Sequence, residues 1–131
     1  MNTNELILQS AKEASKNAYC RYSNFPVGAC ALYESGNKYI GCNVENESYG
    51  LALCAERNAM SNAVVNGEKS KLIKIAVYSP KMAECLPCGA CRQWIHEFAQ
   101  GYNTEIILQD NRNSIKIYYI HDLLPYPFGT L

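Results

Sequence analysis

The sequence predicts an α/β protein: a mixed five-stranded sheet with helices on both faces, making three layers. Three observations lead there. Hydrophobic periodicity changes along the chain in the order α-β-β-α-β-α-β-β. Turn residues separate these segments at short intervals, with no repeat, low-complexity tract or linker to divide the chain. Two predicted helices carry cysteines at their starts, and each follows a strand. Their N-termini then lie along one edge of the sheet, where α/β proteins build sites.

The elements follow in order. Residues 4–18 put Leu6, Ile7, Ala11, Ala14 and Ala18 on one helical face. Val27–Tyr33 and Lys38–Cys42 flank Glu34-Ser-Gly-Asn37 and predict a hairpin. A second helix is expected from about Cys54 to Asn66, with Gly67 as its C′ residue. Leu72–Ser79 is rich in β-branched residues and predicts a buried strand. Pro87 precedes a third helix, about Gly89–Gln100. Glu105–Gln109 and Ile115–Tyr119 predict two strands around Asp110-Asn-Arg-Asn113, and a helical turn at His121–Leu124 leads into the tail.

Composition narrows the function. At 131 residues the chain suits a single domain spanning 1–131, long enough to bury a core. Twelve basic and twelve acidic side chains cancel, and Arg21, Arg57, Arg92 and Arg112 form no run. Phosphate-directed binding needs clustered Lys and Arg, so a small neutral substrate is expected and nucleic acid is not. The first residues lack a secretion signal, and no apolar stretch approaches the roughly 20 residues that span a bilayer. A cytoplasmic protein without membrane contact is therefore expected. Seven cysteines in such a chain point to metal binding or catalysis and away from disulfides.

The chemistry concentrates in Cys54-Ala-Glu56-Arg57 and Pro87-Cys88-Gly-Ala-Cys91-Arg-Gln93. Cys88 and Cys91 stand one turn apart at a helix start, and Cys54 opens the other helix. Helix N-termini favour thiolate over thiol. Three thiolates without an obvious fourth protein ligand leave a tetrahedral zinc one open position, as catalysis requires. Glu56 falls on the first turn beside Cys54, where one carboxylate can both take and return a proton. Zinc with three thiolates carries net −1. Arg57 and Arg92, each next to a site residue, are candidates to offset that charge by hydrogen bonds to sulfur. Cys20, Cys30, Cys42 and Cys85 read as ordinary thiols, and His96 and His121 as packing or surface residues.

These residues carry a family resemblance. Cys54-Ala-Glu56 and Pro87-Cys88-Gly-Ala-Cys91 fit the zinc-deaminase signature with Cys in the first ligand position. Together with Tyr22-Ser-Asn-Phe25-Pro-Val-Gly28-Ala, Gly41-Cys-Asn43-Val-Glu45-Asn46 and Leu123-Leu-Pro125, the chain resembles the short, homotetrameric, zinc-dependent cytidine deaminases over nearly its whole length. The resemblance implies one zinc per chain on Cys54, Cys88 and Cys91. It also implies hydrolytic deamination of cytidine and 2′-deoxycytidine in pyrimidine salvage, by zinc-activated water attacking C4 with Glu56 as proton shuttle. Asn43 and Glu45 would hold the ribose 3′-hydroxyl, and Phe25 would pack on the nucleoside. Backbone amides near Glu47 and Ala55 would meet the pyrimidine, Phe128 of a neighbouring subunit would stack on the base, and Tyr49 would lie at a subunit contact.

Two residues depart from the family pattern: Glu47, where a small residue is usual, and Trp94, where an aliphatic one is. Trp94 is expected in the core or an interface. Rival readings explain less. A Cys88-x-x-Cys91 redox protein leaves Cys54-Ala-Glu56 without a role, and a structural zinc module needs a fourth ligand. A blasticidin-S-type deaminase would share the three cysteines, but it lacks the intact Asn43-x-Glu45 pattern.

Overall fold

A computed structural model of the chain describes residues 1–129. Its sheet has five strands, β1 (Gly28–Tyr33), β2 (Lys38–Cys42), β3 (Leu72–Tyr78), β4 (Glu105–Gln109) and β5 (Ile115–Tyr119), in the order β2-β1-β3-β4-β5. Helix α1 (Thr3–Ser15) covers one face, and α2 (Ala55–Val65) and α3 (Gly89–Ala99) cover the other. This is the expected three-layer mixed-sheet architecture.

Strand β1 runs antiparallel to both β2 and β3, so β2 and β3 point the same way; β3 and β4 pair in parallel. Helix α2 is therefore the crossover from β2 to β3, and α3 the crossover from β3 to β4. Crossovers of one hand moving in one direction fall on one face, and both helices start where a parallel strand ends. That common carboxyl end of the strands, not a lateral edge, brings the two helix N-termini together.

Two cores result. Ile7, Leu8 and Ala11 pack on Cys30, Leu32, Ala76 and Ile107, while Ala59, Met60 and Ile95 pack on Ala31, Ile75, Val77, Ile106 and Leu108. Strand β1 is buried along its entire length between α1 and α2. Two glycines permit this closeness. A Cβ on Gly28 would strike the α1 backbone at Ala11 and Ser15, and one on Gly41 would strike the α2 backbone at Ala55 and Ala59.

Three expectations shift. Helix α1 stops at Ser15, not residue 18, because Tyr19 is drawn into a bridge with Val44 that takes up both Tyr19 main-chain groups. Its buried stripe is Ile7, Leu8, Ala11, Ala14 and Ser15, leaving Leu6 and Ala18 outside it. The last helical turn, α4, is Ile120–Leu123, starting one residue early to bury Ile120. Helix α2 does end as expected: Gly67 has φ 83°, its N–H meets Val64 O, and Glu68 N–H meets Ala63 O, a Schellman ending.

Candidate active site and metal centre

Cys54 is the N-cap of α2, Cys88 is the N-cap of α3, and Cys91 follows one turn later. Neither N-cap sulfur bonds a helix amide, so both are free to face each other. Cys54 Sγ lies 3.7 Å from Cys88 Sγ, and Cys88 Sγ 3.6 Å from Cys91 Sγ. Tetrahedral sulfurs at zinc's usual bond length of about 2.3 Å stand about 3.8 Å apart, so the spacing fits that ion. No fourth Cys, His, Asp or Glu joins the group among the described residues.

Electrostatics agree with the geometry. A hydrogen bond from Cys91, with others from Arg57 and Cys88, holds the Cys54 thiol down at about 5; the Cys91 bond raises Cys91 in turn. Arg57 Nη2 donates to Cys54 Sγ at 3.4 Å. Arg92 does not reach sulfur. Its Nε donates to Pro87 O at 2.8 Å and its Nη1 to Leu123 O at 3.1 Å, because the side chain runs back along α3 toward α4. Arg57 alone therefore offsets charge at the sulfurs, and Arg92 fastens the loop before Cys88.

Glu56, two residues into α2, is only 4% exposed. Burial pushes its carboxyl up to about 7, and the charge on Cys54 adds to the rise. A bound dication would draw it down again. Glu56, Ala55, Cys54 and Cys88 line a cleft of about 250 Å³ that also takes in Asn43 and Glu45. Its apolar walls are Val27, Leu53, Leu86 and Cys85.

Asn43 and Glu45 are held by the chain segment before β1. Asn43 Oδ1 accepts from Val27 N at 2.9 Å, and Asn43 Nδ2 donates to Phe25 O at 2.9 Å. Glu45 Oε1 accepts from Tyr22 N at 3.0 Å and Ser23 N at 3.1 Å, while Oε2 accepts from Ser23 Oγ. The Ser23 hydroxyl holds the Glu45 carboxyl below its ordinary range, so it is ionised at neutral pH. An amide has two donors and two acceptor sites, so Asn43 retains capacity for a ligand.

Comparison with known proteins decides the family. Residues 1–108 match the family model described as the cytidine and deoxycytidylate deaminase zinc-binding region. The chain belongs to this deaminase family. It is 41% identical to a cytidine deaminase of Sporosarcina psychrophila, over 98% of this chain and 93% of that protein. It is 39% identical to a probable cytidine deaminase of Dictyostelium discoideum, covering 98% of this chain and 87% of that one. Among solved structures, the cytidine deaminase of Burkholderia pseudomallei superposes with TM-score 0.88 at 38% identity, covering 98% of this chain and all of that one. The three-sulfur cluster could hold the metal ion for which this family's zinc-binding region is described.

Other residues singled out in the sequence lie further off. Phe25 packs its ring on the main core and meets Asn43 through its carbonyl. Glu47 is exposed and does not line the cleft. Tyr49, 76% exposed, meets Tyr22 edge-on at 6.0 Å beside a second cavity of about 340 Å³. Phe128 is 87% exposed, away from this chain's own cleft. Trp94 is partly exposed and packs on Phe98.

Sequence reasoning missed Leu53, Leu86 and Ser23. Leu53 lines the cleft while remaining half exposed, and its main chain pairs with Val44 in a loop bridge without a periodic signal. Cys85 lines the cleft outside the sulfur cluster, and burial pushes its thiol up to about 11, leaving it a wall residue.

Proposed function

We propose that the chain hydrolyses the 4-amino group of cytidine and 2′-deoxycytidine, giving uridine and 2′-deoxyuridine, with residues 1–131 as one catalytic domain. One observation carries this reading. A buried carboxyl, Glu56, sits beside a three-sulfur zinc centre on the floor of a cleft whose wall presents Asn43 and Glu45. The relatives named above are cytidine deaminases, which supports the same substrate class.

Cys54, Cys88 and Cys91 would hold one zinc ion, which would supply a water acidic enough to lose its proton near neutral pH. Glu56 accepts that proton and carries it to N3 of the pyrimidine as C4 is attacked. It then takes the proton of the new C4 hydroxyl and passes it to the 4-amino group, so that the C4–N bond breaks, ammonia leaves and C4 becomes a carbonyl. Its burial keeps water away from the carboxyl while it carries each proton. Arg57 steadies the charge on Cys54. Glu45 accepts a hydrogen bond from the ribose 3′-hydroxyl and the Asn43 amide donates one to its oxygen, while the Ser23 clamp keeps the Glu45 carboxylate aimed. Phe25 backs the sugar side, and amides near Glu47 and Ala55 orient the base. Phe128 of a neighbouring copy stacks on the base in a homotetramer that also uses Tyr49, and the enzyme works in the cytoplasm. A cleft of about 250 Å³ has room for one nucleoside.

A substrate panel tests the reading. The zinc-loaded enzyme should lower the absorbance of cytidine and 2′-deoxycytidine and leave deoxycytidine 5′-phosphate and blasticidin S nearly untouched. Preference for the 5′-phosphate or for blasticidin S would overturn it.

A further inference from the structure

The described residues after α4 form no regular element, yet α3 holds the chain at the end of α4 and again at Phe128. Arg92 Nη1 holds Leu123 O at 3.1 Å. One residue on, Gln93 Nε2 donates to Phe128 O at 2.9 Å, and Phe128 N donates to Gln93 Oε1 at 3.1 Å. A side-chain amide that pairs with both main-chain groups of one residue acts as a strand neighbour would, and it fixes the backbone direction there. The phenyl ring gains no such shelter, being 87% exposed. Removing a phenylalanine side chain from water is favourable. Trp94 and Phe98, lining a cavity of about 280 Å³ together with Gln93, offer an apolar surface nearby. A tail docked only for stability would lay its ring there. This tail is clamped by its backbone and turns the ring outward.

We infer that Gln93 is a positioning residue for the deamination reaction, presenting Phe128 to the pyrimidine in the cleft of a second copy of the chain. The inference rests on the reading that Phe128 stacks on a neighbour's base. Cys91, Arg92 and Gln93 are consecutive on α3, so the helix that ligates zinc in one copy also aims the aromatic wall of another copy's site.

Steady-state kinetics on the zinc-loaded oligomer test this with Gln93→Leu, Gln93→Glu, Phe128→Ala and the two double variants. Base–aromatic stacking loses about 1–3 kcal/mol on truncation to alanine, so Phe128→Ala should raise KM for cytidine roughly 5–150-fold. Gln93→Leu removes both clamp bonds and should raise KM about 2–10-fold at full zinc content, with kcat changed less. Gln93→Glu keeps the acceptor for Phe128 N–H but loses the donor to its carbonyl, so its KM should fall between parent and Gln93→Leu. Neither Gln93 change should raise KM further when Phe128 is already alanine. Parental KM in Phe128→Ala removes the stacking reading, and the inference falls with it. If Phe128→Ala raises KM while the Gln93 variants do not, or act equally in both backgrounds, Gln93 does not work through Phe128; the inference is then overturned and the stacking reading stands. Should Gln93→Leu fail to fold, Gln93→Glu in the two backgrounds decides alone.

Discussion

At the level of single residues, the proposed proton shuttle Glu56 is buried beside the sulfur cluster without being part of it. It lies in the first turn of α2 next to three sulfurs that already satisfy three corners of a tetrahedron. Glu56→Gln preserves shape and hydrogen bonding but cannot carry a proton. The variant should retain its zinc and its fold while turnover falls at least roughly 10²-fold. Loss of zinc in that variant would make Glu56 a ligand; unchanged turnover would deny it any part in proton transfer. Glu45 acts through its fixed carboxylate, so Glu45→Gln should raise KM for cytidine and leave zinc content intact. If Glu45→Gln binds cytidine as the parent does, the ribose assignment is wrong. Cys54 with Glu56, and Cys88 with Cys91, were legible in the sequence because each pair falls within one turn at the start of a helix. Arg92 was not. Arginine beside a ligand reads the same whether it donates to sulfur or to a carbonyl, and only the path of α3 past Leu123 separates the two.

Helices α2 and α3 place these residues, and their seating depends on contacts at both ends of α2. At its start, Gly41 lets β2 approach the α2 backbone at Ala55 and Ala59. Gly41→Ala must push back the turn that carries Cys54 and Glu56. Overpacking costs about 1–3 kcal/mol, so the variant should melt several degrees lower and lose zinc to a chelator faster. Parental melting and zinc retention would show that the contact yields freely.

At the far end of α2, Glu68 follows the Schellman turn and ties the helix to the β1–β2 hairpin. It accepts from Tyr39 OH at 2.9 Å, Ser35 Oγ at 2.9 Å, Asn37 Nδ2 at 3.3 Å and Ser70 Oγ at 2.6 Å. These bonds, led by Ser70, hold its carboxyl down at about 2. A carboxyl lowered on folding stabilises above its unfolded value and loses that contribution as pH falls through its folded value. Glu68→Gln should therefore destabilise the protein at neutral pH, with the gap to the parent closing as pH drops from about 4.5 toward 2. A pH-independent gap in denaturant melts would contradict this. The strands β4 and β5 matched their predicted limits because each is bounded by a turn with strong local chemistry. Helix α1 was drawn three residues too long because its end is set by Tyr19 pairing with Val44, a contact far away in sequence.

For the whole molecule, two crossovers on one face create the site, and their order was readable from the alternation of helix and strand signals. The cleft walls were less readable. Leu53 and Leu86 sit in loops whose course depends on long-range pairing, so no periodicity marks them. The family comparison spans nearly the full chain and accords with the centre built from Cys54, Cys88 and Cys91. The proposed reaction makes activity depend on metal at that centre. The most direct measurement titrates zinc into metal-free protein while following the loss of cytidine absorbance as uridine forms. Activity should rise linearly and level off at one zinc per chain, and a variant lacking Cys88 should gain none. Full deamination without zinc, or none with one zinc bound per chain, would contradict the account.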